Sequence, residues 1–141
     1  MQRKGSAVWE GDLKGGKGTV STDSGVLAQT PYSFSTRFEN GKGTNPEELI
    51  AAAHAGCFTM ALSAQLGNAG LTPEKLSTTA TVTFDKLEAG WTVTNILLSV
   101  KGKVPKADLA AWDKATQAAK SGCPISRLLN TTITMDAKLE S

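Results

Sequence analysis

The chain has 141 residues, 15 basic and 13 acidic side chains and a formal net charge of +2. That length fits one domain over residues 1–141, long enough to bury a core without covalent staples. With 40% hydrophobic and 20% charged residues, intrinsic disorder is excluded, and the near-neutral charge without a basic run offers no electrostatic footprint for nucleic acid or an anionic membrane.

The opening MQRKGSAVWEGD lacks the apolar core of a signal peptide. The longest apolar region, Ile50 to Leu66, is interrupted by His54, Thr59, Ser63 and Gln65. It falls short of the ~20 apolar residues a bilayer span needs. The expectation is a cytoplasmic protein with no membrane partner.

GSAVWEG and KGTVST read as short strands bounded by glycine, and Asp23-Ser24-Gly25 as a turn. Pro31 to Glu39 alternates: Tyr32, Phe34, Thr36 and Phe38 against Ser33, Ser35, Arg37 and Glu39. Period two predicts a half-buried strand with Arg37 on its polar face. A glycine- and asparagine-rich loop follows, then the strongest helix signal in the chain. Thr44-Asn45 offers an N-cap, Pro46 suits the first helical position, and Glu47 and Glu48 favour the positive end of the dipole. From Leu49 to Leu66 the helix is weakly polar nearly all round, which predicts an interior position. Its small residues Ala52, Ala53, Ala55 and Gly56 would admit another backbone closely.

Ala80, Val82 and Phe84 then alternate with threonines, and after a turn at Glu88 to Gly90 a second strand, Trp91 to Lys101, completes a hairpin. Pro105 reads as opening a helix through Leu109, Trp112, Thr116 and Ala119, stopped at Ser121-Gly122. Cys123-Pro124 begins a short helix, PISRLL, and a last strand carries Ile133, Met135, Ala137 and Leu139 on one face. The order βββ-α-ββ-αα-β, with strands joined by hairpins, defines an α+β fold with antiparallel sheets.

There are two cysteines, Cys57 and Cys123, one histidine, His54, and no CxxC. That excludes a secreted disulfide scaffold, a zinc ribbon and a thioredoxin-type motif. The plain reading of each thiol is a small buried hydrophobe. Cys57 lies mid-helix, where the dipole gives little help, so ionising it requires a neighbouring cation. Arg37 is the candidate because arginine stays charged when buried, and Glu47 can hold its guanidinium. Glu47 and Cys57 are ten residues apart, roughly 15 Å along a straight helix. They share a site only if Arg37 bridges the gap or a second subunit supplies the glutamate. Spacing alone favours Arg37 as a solvated strand residue.

Cys123, at an N-cap before Pro124, is locally the better nucleophile, since free N–H groups lower a thiol pKa there. His54, three residues before Cys57, raises the alternative of a Cys/His acyl-transfer enzyme or hydrolase. A packed core histidine is the simpler reading. The third possibility is a non-catalytic binding domain with two inert thiols.

Three runs in order, WEGDLKGGKGTVSTDSG, GTNPEELIAAAHAGCFTMAL and SGCPISRLL, together resemble the OsmC/Ohr family of thiol peroxidases, on its OsmC branch. The resemblance covers essentially the whole chain. It implies antiparallel sheets packed on a central buried helix and an intertwined homodimer with its sites at the subunit interface. It also implies reduction of organic hydroperoxides, and less efficiently of hydrogen peroxide, in oxidative and osmotic stress defence. By motif position Cys57 matches the peroxidatic cysteine, Cys123 the resolving one and Glu47, directly after Asn45-Pro46, the active-site glutamate; Arg37, in STRFEN, is the match for the family's arginine. A dithiol reductant of dihydrolipoyl type and no metal, flavin or haem cofactor are implied likewise. These roles reverse the local ranking of the thiols: Cys57 becomes the sealed, arginine-paired nucleophile and Cys123 the exposed cap thiol that resolves it. Phe58, Met60 and Leu62, with Phe34 or Phe38, are either pocket lining or plain core.

Overall fold

A computed structural model describes residues 1–141, which fall into two compact units, Met1–Leu49 and Ile50–Ser141. The architecture is mixed α+β, with two three-stranded sheets and a long helix between them in the chain.

In the first unit β1 (Gly5–Glu10), β2 (Lys17–Thr22) and β3 (Thr30–Tyr32) form an antiparallel sheet in sequence order. The expected strand from Pro31 to Glu39 is corrected here. Only its start is β; Phe34–Phe38 forms a one-turn helix, α1. Local hydrogen bonding overrides the two-residue alternation. Ser33 caps the helix by accepting from the Thr36 N–H, and the Ser33 N–H donates in return to Thr36 Oγ1 at 2.8 Å. This reciprocal capping box satisfies two backbone donors that a strand would have left to a neighbour.

Helix α2 (Pro46–Asn68) starts as the sequence predicts, with Asn45 Oδ1 accepting from the Glu48 N–H at 2.8 Å. Asn45 Nδ2 also donates to the Thr36 carbonyl at 3.0 Å, tying the start of α2 to α1. By length and composition α2 could pass for a membrane span. Its side chains His54, Phe58, Leu62 and Leu66 are nevertheless buried at four-residue intervals, one stripe in a protein core. On another side of the helix Ala52, Ala53, Gly56 and Met60 are exposed in the single chain.

The second unit carries the main core. β4 (Lys75–Leu87) and β5 (Gly90–Lys103) form the expected hairpin, with a register shift at Thr83/Phe84. Ile96, Leu98 and Val100 of β5 are buried with Phe58, Leu62 and Leu66 of α2 and with Trp112, Ala115 and Ala119 of α3 (Leu109–Gly122). α3 begins at Leu109 rather than Pro105, because the Asp108 carboxylate caps it by accepting from the Ala111 N–H at 2.7 Å. After α4 (Pro124–Leu128), β6 (Thr132–Glu140) pairs with β5 in parallel, a second correction to the all-antiparallel expectation. The two helices between β5 and β6 supply the long crossover that parallel pairing requires. Thr59 fixes α2 to this sheet: its hydroxyl donates to the Ala55 carbonyl at 2.7 Å and is hydrogen-bonded to the Thr78 hydroxyl of β4 at 2.8 Å.

Candidate active site

The four predicted site residues assemble as two pairs, one in each unit. In the first unit Arg37, in the last turn of α1, reaches Glu47 in the first turn of α2. Arg37 Nε and Nη2 both donate to Glu47 Oε1, at 2.9 and 2.8 Å. The guanidinium grips one carboxylate oxygen with two donors and also lies 5.4 Å from the centre of the Phe38 ring. The glutamate side chain is 13% exposed and the arginine 40%. The pair is held from the backbone outward: the Ser33–Thr36 box shapes α1, and Asn45 fixes α2 against it. Arg37 is thus an exposed helix residue in an ion pair, which corrects its reading as a strand residue. Glu47 Oε2 is buried without a hydrogen-bond partner. Trp9, Leu13, Tyr32, Phe34 and Phe38 line an apolar cavity of about 270 Å³ beside Arg37.

In the second unit Cys57 of α2 and Cys123, at the α3–α4 junction, are both free thiols. Their sulfur atoms lie 2.7 Å apart, although 66 positions separate them in the chain. Cys57 is half-buried and Cys123 is 0% exposed. The expected exposed cap thiol is therefore corrected; Cys123 is sealed, and Cys57 is the thiol that solvent can reach. Burial is the main cause pushing the Cys57 pKa up, reinforced by the hydrogen bond and charge coupling with Cys123. One interaction opposes them, a hydrogen bond from the Ile125 backbone N–H. Ile125 lies in the first turn of α4, and the Cys123 side chain makes no capping bond of its own there. The helix-terminal donor that local reasoning gave to Cys123 acts on Cys57 instead.

His54 is fully buried, and burial lowers its pKa, so it is neutral at pH 7. Its Nε2 is hydrogen-bonded to Ser126 Oγ of α4 at 2.7 Å, while Nδ1 has no partner. A neutral imidazole with no carboxylate or amide to orient it is poorly equipped to activate Cys57, which argues against the Cys/His acyl-transfer alternative. Sequence reasoning missed Ser126, although it lies within the run SGCPISRLL, three residues after Cys123. Phe58 and Leu62 are core, and Met60 is 77% exposed.

An α+β scaffold that holds two free thiols in contact, one accessible and one sealed, defines a two-cysteine thiol protein. The chain belongs to the OsmC-like protein family, whose model matches residues 39–138. It is 57% identical over 141 residues to Peroxiredoxin OsmC of Escherichia coli strain K12, covering 100% of this chain and 99% of that one. It is 30% identical over 108 residues to an Organic hydroperoxide resistance protein of Xanthomonas axonopodis pv. citri, covering 76% of this chain and 74% of the other. In fold it is similar to an OsmC-like protein of unknown function from Vibrio cholerae, with a TM-score of 0.80 at 16% identity over 98% of this chain and 99% of that one.

Proposed function

We propose that this protein is a thiol peroxidase that reduces organic hydroperoxides, with Cys57 as the peroxidatic and Cys123 as the resolving cysteine. The observation that carries the reading is the contact of a reachable and a sealed sulfur at 2.7 Å. That separation is only about 0.7 Å beyond a covalent S–S bond. A peroxide meets Cys57 first, because Cys123 is buried. The names of the two relatives, one a peroxiredoxin and one an organic hydroperoxide resistance protein, support the same chemistry.

Burial holds Cys57 protonated, so a cation must offset the cost of its thiolate. Arg37 is assigned that role, with Glu47 orienting its guanidinium. The thiolate attacks the terminal peroxide oxygen; the O–O bond breaks, the alkoxide takes a proton from water and leaves as the alcohol, and Cys57 becomes a sulfenic acid. Cys123 then attacks the Cys57 sulfur. The S–O bond breaks as the S–S bond forms, and the hydroxide leaves with the Cys123 proton as water. An external dithiol, for which a dihydrolipoyl-type compound is our candidate, restores both thiols by exchange and is itself oxidised to a disulfide.

The exposed apolar and small side of α2, with Ala52, Ala53, Gly56 and Met60, is the surface we assign to a second copy of the chain, in a cytoplasmic homodimer. Peroxide consumption tests the reading. Cys57→Ser should abolish it, and Cys123→Ser should complete one turnover and then stall or overoxidise. Cys57→Ser consuming alkyl hydroperoxide as fast as the parent would remove the mechanism.

A further inference from the structure

The mechanism above gives no task to the buried pair His54–Ser126, whose Nε2–Oγ separation is 2.7 Å. Its placement is informative. His54 is three residues before Cys57 on α2, and Ser126 is three residues after Cys123 on α4. The polar bond and the sulfur contact therefore join the same two segments one helical turn apart, like two rungs of a ladder. Both polar side chains are buried, His54 at 0% and Ser126 at 9% exposure.

Helix α4 has five residues. One turn has almost no stability of its own, because nucleation costs more than its hydrogen bonds return. Tertiary contacts must hold it, and those to the 54–57 turn of α2 include the sulfur contact, the Ile125 N–H to Cys57 and the His54–Ser126 bond. The first two involve the sulfur that changes oxidation state. His54–Ser126 involves no sulfur, so neither partner is changed chemically by the reaction.

We propose that His54 and Ser126 are positioning residues for the resolving step: their bond holds the segment carrying Cys123 in register with Cys57 while Cys57 is a sulfenic acid. This rests on the thiol-peroxidase reading given above. The step is the condensation already described, in which Cys123 displaces the sulfenic oxygen as water. Its rate relative to overoxidation depends on how constantly the Cys123 sulfur stays at attacking distance. Without the clamp the sulfenic acid lives longer, and more peroxide converts it to sulfinic acid.

The experiment treats the reduced full-length protein with one equivalent of an alkyl hydroperoxide in the presence of dimedone, which traps sulfenic acid. Peptide mass spectrometry then gives the ratio of dimedone-labelled Cys57 to Cys57–Cys123 disulfide. This ratio reports partition after the first step and does not depend on that step's rate. Ser126→Ala should raise it on the order of tenfold, the effect of one lost buried hydrogen bond. Ser126→Thr, which restores the hydroxyl, should return it to the parent value. Leu66→Ala, nine residues from Cys57 on α2 and so roughly 14 Å along the helix, destabilises the core without touching the clamp and should leave the ratio at the parent value. A ratio unchanged in Ser126→Ala, or raised as much by Leu66→Ala, overturns the clamp and leaves the peroxidase reading standing. A parent protein that yields neither adduct nor disulfide overturns both.

Discussion

Replacing Gly102 with alanine tests how α3, and with it Cys123, is seated on the sheet. Gly102 lies on β5 opposite Leu76 of β4. A Cβ built there falls 2.3 and 2.4 Å from two ring atoms of Trp112 and 3.0 Å from Leu76. Ordinary contact begins near 3.4 Å, so the indole has to retreat by about 1 Å at the density of a packed interior. Trp112 is 0% exposed and shares the core with Phe58, Leu98 and Ala119, so it has nowhere open to go. Overpacking of this kind costs about 1–3 kcal/mol. For a chain of this size that is a fall in melting temperature of roughly 3–12 °C. Urea unfolding followed by tryptophan fluorescence and circular dichroism gives the free energy, and Trp112→Phe in the same background should recover most of the loss, since the two positions are coupled. Gly102→Ala as stable as the parent would refute this account of how α3 packs on β5.

Three further outcomes follow from the geometry. Arg37→Met should raise the Cys57 pKa by about one unit or more, read as a shift of the iodoacetamide alkylation profile against pH; an unmoved profile removes arginine from the site. Because burial depresses the His54 pKa below 6.5, the unfolded chain binds its proton first as pH falls. His54 therefore contributes stability that is full above the unfolded value and is lost as pH drops through it, levelling off below the folded value. His54→Gln should accordingly show a flatter denaturation midpoint between pH 7.5 and 5.5 than the parent, and equal slopes would contradict a buried neutral imidazole. Ser33→Ala removes the cap of α1 and should cost about 1 kcal/mol, with faster hydrogen exchange through Phe34–Phe38.

Much of this was legible in the residues. Where one periodicity ran unopposed, as along β5 with Ile96, Leu98 and Val100 and along β6 with Ile133 to Leu139, the faces lie as the sequence predicts. Capping chemistry located the start of α2 through Asn45 and Pro46. Failures came where a short-range polar bond outweighed a hydrophobic pattern. Ser33 and Thr36 turned an alternating segment into a helix, and Asp108 started α3 four residues after Pro105. The parallel pairing of β6 was hidden because register between strands 95–103 and 132–140 is a long-range property with no local signature.

The site was legible in part. Cys57, Cys123 and Glu47 were identified from the motifs carrying the family resemblance and Arg37 from the alternating segment before them; of the expected couplings, thiol to thiol and arginine to glutamate exist. Burial was not. Local reasoning placed an exposed thiol at the α4 N-cap, but the helix terminus faces inward, so Cys123 is sealed and the Ile125 N–H serves Cys57. Ser126 sits inside the run SGCPISRLL, but nothing in that run points to His54; only the fold brings it to a histidine 72 positions away.

The central claim is that one sulfur is oxidised and the other captures it. Reduced protein given one equivalent of an alkyl hydroperoxide, alkylated and digested under non-reducing conditions should yield the peptide of Cys57 joined to that of Cys123, lighter than the sum of the two by a pair of hydrogen atoms, with loss of both thiols. Peroxide consumed while Cys123 stays alkylatable and the oxidised Cys57 is found only as sulfenic or sulfinic acid, or both thiols left free, would contradict it.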